Sequence, residues 1–168
     1  MKILPPFLLV LVLAACNPFA PEFDESSAGS SSILGDPATV DGIFQNIKYA
    51  YTFKDTTIYG QMINASYNFV FRDYERGIDV SWGRDEEMRI THELFRNVQR
   101  LDLVWNNIIA LSTDSANTAA TVSRNFNLTV TFNPSDIIRV DGYATLSLSR
   151  SGPGDPWMIV RWRDESNF

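Results

Sequence analysis

The spacing of apolar residues predicts helices mainly in the first half of the chain. Val40, Ile43, Phe44, Ile47 and Tyr51 recur at intervals of three and four residues, which places them on one face of a helix. Asp36-Pro37 precedes this stripe, and a capping residue followed by proline is typical of a helix start. The pattern therefore predicts a first helix that begins at residues 36–37.

Three further elements follow before residue 98. Residues 56–63 fit a short second helix, although Gly60 lowers its propensity. Apolar and polar residues alternate in 67–72 and again in 78–82, and the polar stretch 73–77 between them predicts a hairpin. Negative charges at residues 85–87 favour the start of a third helix.

From residue 101 onward the apolar positions follow a period of two. The alternating stretches are 101–105, 125–133, 143–149 and 157–163, and those between them are rich in turn-forming residues. Four long strands in succession predict an antiparallel sheet with one apolar face, which the helices would cover. The pattern therefore predicts an α+β fold.

The N-terminus has the outline of an export signal. Met1 and Lys2 supply a positive start, residues 7–13 are continuously apolar, and small residues precede Cys16. The apolar stretch is too short for a permanent transmembrane helix. Cys16 is the single cysteine of the chain, so it cannot serve an internal disulfide framework.

The tetrapeptide Leu13-Ala14-Ala15-Cys16 resembles the lipobox of bacterial lipoproteins. The resemblance implies cleavage before Cys16 and lipid on its sulfur, hence a protein anchored to a membrane of the cell envelope. An ordinary signal peptide that leaves Cys16 as a free thiol is the alternative. An aspartate directly after the lipidated cysteine resembles a signal for retention in the inner membrane, and this chain has Asn17 at that position. The sequence therefore favours the outer membrane.

Three regions follow from these observations. Residues 1–15 are interpreted as a signal peptide, 16–35 as the lipidated cysteine with a flexible tether rich in Ser, Pro and Gly, and 36–168 as one folded domain. The remaining length suits one compact domain and leaves no room for a second. An apolar content of 45% supplies enough material for a core.

Charge and residue content exclude several classes of function. The formal charge is −6, and the basic residues are scattered among acidic ones, so the chain has no basic surface typical of nucleic-acid binding. One histidine and one cysteine are too few for a zinc site. The sequence also has no glycine-rich phosphate loop, and we expect no metal and no cofactor.

Residues 36–168 resemble the NTF2-like superfamily. The resemblance rests on the order of elements, on residues 82–87 (WGRDEE) at the entry to the third helix, and on a terminal strand with Trp157 and Arg161-Trp162. It implies a strongly bent antiparallel sheet packed on the N-terminal helix, the cone of NTF2-like and cystatin-like folds. A lipocalin-like fold or another α+β sandwich is the alternative.

Five residues are candidates for lining a cavity in such a cone, because each belongs to a predicted inward face. They are Tyr51, Tyr67, Trp82, His92 and Trp105. His92 shares its predicted helix face with Met88 and Phe95, and it is the single side chain that ordinarily titrates near neutral pH. Packing in the core would equally explain all five residues. No residue is assigned a catalytic role.

Two functions are therefore open. The first is a non-enzymatic domain that binds a small apolar ligand in the cone, or a partner protein on the sheet, at the cell envelope. The alternative is a cofactor-free enzyme that moves a proton, as isomerases and dehydratases of the superfamily do, with His92 as acid or base. The second function requires His92 to face a cavity. The sequence leaves the oligomeric state open.

Overall fold

The computed structural model describes residues 33–166, so the predicted signal peptide, Cys16 and all of the predicted tether before residue 33 lie outside the described residues. Ser32–Phe168 forms one compact unit. Its elements are α1 (Val40–Phe53), α2 (Thr56–Met62), β1 (Ile63–Asp73), β2 (Ile78–Gly83), α3 (Arg84–Asn97), β3 (Arg100–Thr113), β4 (Ala119–Asn133), β5 (Asp136–Ser149) and β6 (Met158–Ser166). Within residues 33–166, no helix is long and apolar enough to cross a membrane.

The six strands form one curved sheet in the order β2-β1-β6-β5-β4-β3. Neighbouring strands are antiparallel, except that β1 runs parallel to β6. The predicted α+β class and NTF2-like or cystatin-like fold are confirmed. The expectation of a wholly antiparallel sheet is wrong for this one pair, because no hairpin joins β1 to β6 and no turn sets their relative direction.

The first helix begins later than the sequence predicts. Its N-cap is Thr39, whose hydroxyl accepts a hydrogen bond of 3.0 Å from the backbone N–H of Gly42. Asp36 caps a separate turn, since its carboxylate accepts from the N–H of Ala38 and its carbonyl accepts from the N–H of Thr39. Thr39 is thus both the end of that turn and the start of α1.

The concave side of the sheet packs on α1. Ile43, Phe44 and Ile47 are almost fully buried, which confirms the predicted stripe. They belong to the larger of two core clusters, and the smaller cluster joins the end of α3 to β3 and β4. Because both clusters lie within Ser32–Phe168, this unit contains the core that its folding requires.

Candidate functional site

A buried carboxylate from α3 is the polar centre of the concave side. Glu87 accepts a hydrogen bond of 2.6 Å from the Tyr59 hydroxyl and one of 2.7 Å from Trp82 Nε1. Its neighbour one helical turn later, Thr91, donates a weaker bond of 3.3 Å. Only 4% of Glu87 is exposed, so these donors replace the water that a carboxylate would otherwise hold.

The placement of Glu87 also fixes which side of α3 is buried. Glu87, Thr91 and Phe95 form the buried stripe, whereas His92 is exposed. The expectation that His92 faces inward with Met88 and Phe95 is therefore wrong, because the buried face is centred one residue earlier. Apolar spacing alone could not show this, since the inward position at the start of the helix is held by a charged residue with hydrogen-bond partners.

Three tyrosines surround Glu87. Burial raises the pKa of Tyr51, Tyr59 and Tyr67, and the negative charge of Glu87 raises the pKa of each further. The Asp164 carboxylate adds to this effect at Tyr51 and Tyr67, so it lies near both phenols. All three hydroxyls therefore stay protonated at neutral pH and can donate hydrogen bonds.

An aromatic wall lies beside this polar group. Phe69 and Trp82 are paired across β1 and β2, and their rings stack at 4.4 Å with an interplanar angle of 17°. Phe71 contacts both rings, and Phe69 also lies next to Trp162 of β6. Phe69 packs against the core, yet Phe69, Phe71 and Trp82 are only half-buried, so this wall is partly exposed to solvent.

Four buried polar atoms in this region make no hydrogen bond within the described residues. They are Tyr67 Oη, Trp105 Nε1, Trp162 Nε1 and Asp164 Oδ1. Trp162 and Asp164 lie two positions apart on β6, hence on the same face, and the Trp105 and Trp162 rings are 6.2 Å apart. Burial raises the pKa of Asp164 above its usual value. An unsatisfied buried polar group costs roughly 1–3 kcal/mol, so four of them in one region make it a candidate for binding polar groups from outside the described residues.

Trp105 connects this region to a small cavity at the side of α1. The cavity has a volume of about 200 Å³ and is lined by Asp41, Phe44, Gln45, Lys48, Trp105 and Arg124. The Arg124 guanidinium lies 5.0 Å from the Phe44 ring centre and contacts the Asp41 carboxylate at 3.3 Å. Asp41 neutralises Arg124, whereas Lys48 adds a second positive charge to the lining.

A larger cavity of about 520 Å³ lies between α1, α2 and the β5–β6 connection. Its lining is mostly apolar and includes Ile43, Ile58, Met62 and Trp157. The segment that precedes α1 forms one wall, where the carbonyl of Pro37 accepts a hydrogen bond of 2.9 Å from the Trp157 N–H. None of the five predicted pocket residues lines this cavity.

Four of the five predicted pocket residues do lie together. Tyr67 belongs to the larger core cluster, and Tyr51 and Trp105 pack against it. Trp82 donates a hydrogen bond to Glu87, and His92 is exposed. Sequence reasoning missed Tyr59, Glu87, Trp162 and Asp164 as members of the site. A signal existed for Asp164, because it continues the alternation of Trp162 on the inward face, but the predicted strand ended at residue 163.

No protein-family profile matches this sequence, and no curated protein matches it. Solved structures are similar in fold. A candidate dehydratase of the NTF2-like family from Streptomyces avermitilis has a TM-score of 0.60 at 16% identity, covering 77% of this chain and 94% of that one. A candidate scytalone dehydratase from Novosphingobium aromaticivorans has a TM-score of 0.61 at 11% identity, with 75% and 79% covered.

A protein with a cystatin-like fold from Caulobacter vibrioides has a TM-score of 0.60 at 12% identity, and the match covers 79% of this chain and 90% of that one. Identities this low show the fold alone. The neighbours therefore support an NTF2-like cone, and the chemistry of the site has to be argued from its own residues.

Proposed function

We propose that this protein is a lipid-anchored protein of the bacterial envelope whose domain binds a small, uncharged, largely aromatic molecule on the concave side of its sheet. The observation that carries the proposal is the group of four unpaired polar atoms beside a half-buried aromatic wall. Pockets for small ligands typically combine apolar walls with a few convergent polar groups, and this region has both.

The unpaired atoms define the polar groups that the ligand must carry. The indole N–H groups of Trp105 and Trp162 require an acceptor, and Asp164 Oδ1 requires a donor while its carboxyl is ionised. The Tyr67 hydroxyl, which lies close to that of Tyr59, can fill either role. A hydroxyl or carbonyl substituent on a flat apolar skeleton satisfies this set, and the skeleton would lie against Phe69 and Phe71.

The envelope location rests on the N-terminal sequence. Residues 7–13 and the Leu13-Ala14-Ala15-Cys16 motif support cleavage and lipid attachment at Cys16. Two or more acyl chains on that residue would hold the protein stably at a membrane. The tether would let the domain sample the solution near the surface, where a small apolar molecule could reach its open side.

A ligand screen on residues 17–168 tests the binding proposal. Hydroxylated and carbonyl-bearing naphthalenes serve as probes, and binding is measured by thermal shift and by quenching of tryptophan fluorescence. Tyr67→Phe and Asp164→Asn each remove one polar partner with little change in shape, so each should weaken binding of a responsive probe about tenfold, equivalent to roughly 1.4 kcal/mol.

Matched controls come from the other face and from an exposed strand end. Tyr143→Phe and Asp136→Asn alter exposed residues of β5, and both should leave the dissociation constant unchanged. The proposal fails if no probe is retained, or if the interior variants and the exposed ones bind the same probe equally well.

Proton transfer is the second candidate function, now with Asp164 as the acid or base. The supporting observation is that burial raises the pKa of Asp164 toward the range useful for general acid–base catalysis, next to the protonated hydroxyl of Tyr67. His92 no longer supports this function because it is exposed on α3.

Exchange of deuterium from solvent into a bound ketone, followed by NMR, separates the two candidate functions. A protein that only binds the ketone causes no exchange. An enzyme causes exchange, and Asp164→Asn should abolish it.

A further inference from the structure

The second half of β3 is an exposed apolar strand at the edge of the sheet. β3 has a single neighbour, β4, and every residue from 106 to 113 is exposed. Three of these residues are large and apolar, with exposed fractions of 40% at Ile108, 55% at Ile109 and 51% at Leu111. Exposed apolar edge strands tend to associate with another chain.

This edge also has few of the usual protections against association. Natural edges commonly carry charged residues or proline, yet residues 103–113 (LVWNNIIALST) contain neither. The pairing with β4 shifts register between Trp105 and Ala110, which kinks the strand and hinders a long regular ladder with a new partner. An association here would therefore depend mainly on the side chains of Ile108, Ile109 and Leu111.

We propose that a second copy of this chain covers the edge, forming a two-fold symmetric dimer through residues 106–113 of β3. The chain carries a net charge of −6, so two copies repel each other over most of their surfaces. An uncharged apolar strip is where that repulsion is weakest. In a two-fold symmetric dimer the strip of one copy faces the same strip of the other copy. Because the strip is uncharged, no like charges meet there.

The register of an antiparallel contact is compatible with the flanking charges. If the two-fold axis passes near Ile109, Leu111 of one copy lies opposite Asn107 of the other, and Asp114 lies opposite Val104. Each acidic side chain next to the strip then faces an uncharged residue. Like charges directly opposite one another would destabilise the pair, and this arrangement avoids them.

The other edge of the sheet favours a closed dimer over a chain of molecules. β2 is only six residues long, and its Asp79 is bound by Arg72 at 3.1 Å and by Arg163 at 3.0 Å. β2 is therefore a short edge that carries a charged side chain, and both features are usual protections against association. When the β3 edge of one copy pairs with the β3 edge of another, neither copy has a free β3 edge left for a third copy.

Sedimentation equilibrium of residues 17–168 tests the dimer, because this chain contains the complete folded unit. The unaltered protein should be dimeric at micromolar concentrations, and Ile109→Lys and Leu111→Lys should each weaken the dimer at least tenfold. Ile137→Lys and Ile78→Lys are matched controls on another exposed strand and on the β2 edge, where the native isoleucines are 43% and 49% exposed. Both controls should remain dimeric.

A single introduced thiol tests independently whether the two copies are related by a two-fold axis near residue 109. Since Cys16 is the single cysteine of the chain, residues 17–168 with Ile109→Cys contain one thiol, and oxidation should link two copies through it. A monomeric unaltered protein would overturn the proposal. So would a dimer that survives Ile109→Lys, that dissociates with Ile78→Lys, or that leaves the thiol at position 109 unlinked.

Discussion

Asn46 holds both backbone groups of Gly35. The side-chain oxygen of Asn46 accepts from the Gly35 N–H at 2.8 Å, and its amide nitrogen donates to the Gly35 carbonyl at 3.0 Å. A Cβ atom at position 35 would lie only 2.7 Å from the Cα of Gly42, so the two backbones approach closely there. Gly35 is the last residue of the predicted tether, and this contact fixes it to α1.

Asn46→Ala should therefore lower the free energy of unfolding by about 1–3 kcal/mol. Asn46 is only 6% exposed, and its removal leaves two backbone groups of the entering segment without their partner. Urea denaturation followed by circular dichroism measures the change. Lys48→Ala, at an exposed position of the same helix, is the control and should alter stability by no more than about 0.5 kcal/mol.

Glu87→Leu should cost more, on the order of 2–5 kcal/mol, because it removes the acceptor shared by Tyr59, Trp82 and Thr91. Glu87→Gln keeps one oxygen and should cost less. Unfolding by urea measures both, and tryptophan emission should change as Trp82 loses its partner. Glu86→Gln alters an exposed ion pair with Arg89 and should cost at most about 1 kcal/mol. Equal losses at positions 86 and 87 would contradict the central role of Glu87.

The elements that could be predicted from the sequence are those whose apolar spacing lies within the element itself. The stripe of Ile43, Phe44 and Ile47 repeats at helical spacing, and the period of two in β4 and β5 directly reports a sheet with one buried face. The start of α1 was harder to predict, because Asp36 and Thr39 are both good capping residues. Only the packing of the preceding turn decides that Thr39 caps the helix.

The missed parts of the site depend on contacts distant in sequence. Negative charge at a helix start explains the exposed Asp85 and Glu86 but not the buried Glu87, whose partner Tyr59 lies 28 residues earlier. Asp164 adjoins β1 through the parallel pairing of β6, where it lies opposite Phe71. Neither the period of apolar residues nor a turn indicates which strands are neighbours here. The sequence alone therefore could not predict that these carboxylates lie near the tyrosines.

Replacement of Cys16 tests the predicted anchor, which lies outside the described residues. In a bacterial host, the unaltered protein should fractionate with membranes, and its mass should equal that of residues 16–168 plus diacylglycerol and a further acyl chain. Cys16→Ser should move the protein to the soluble fraction or leave residues 1–15 attached. Ser31→Ala in the tether is a control that should change neither result. An unmodified thiol on the unaltered protein would contradict the anchor.

The raised pKa of Asp164 should make the stability of the protein depend on pH. Burial raises its pKa in the folded state above the ordinary value of 3.8, so the folded protein binds more protons than the unfolded chain as pH rises through that interval. Stability contributed by this group is therefore present at low pH and is lost as pH increases from about 3.8. Relative to Asp164→Asn, the unaltered protein should lose stability in this window, by at most about 1.4 kcal/mol per pH unit.

Asp79 provides a control of opposite sign. Hydrogen bonds from Arg163 and Arg72 lower the pKa of Asp79, so its stabilising effect is present above 3.8 and disappears as pH falls. Unfolding by urea between pH 3 and 7, compared for the unaltered protein, Asp164→Asn and Asp79→Asn, should give difference curves that slope in opposite directions. If a bound hydroxylated probe donates to Asp164 Oδ1, it should also flatten the Asp164 curve, because the ligand then stabilises the ionised carboxylate. A curve unchanged by the probe would place the ligand away from Asp164.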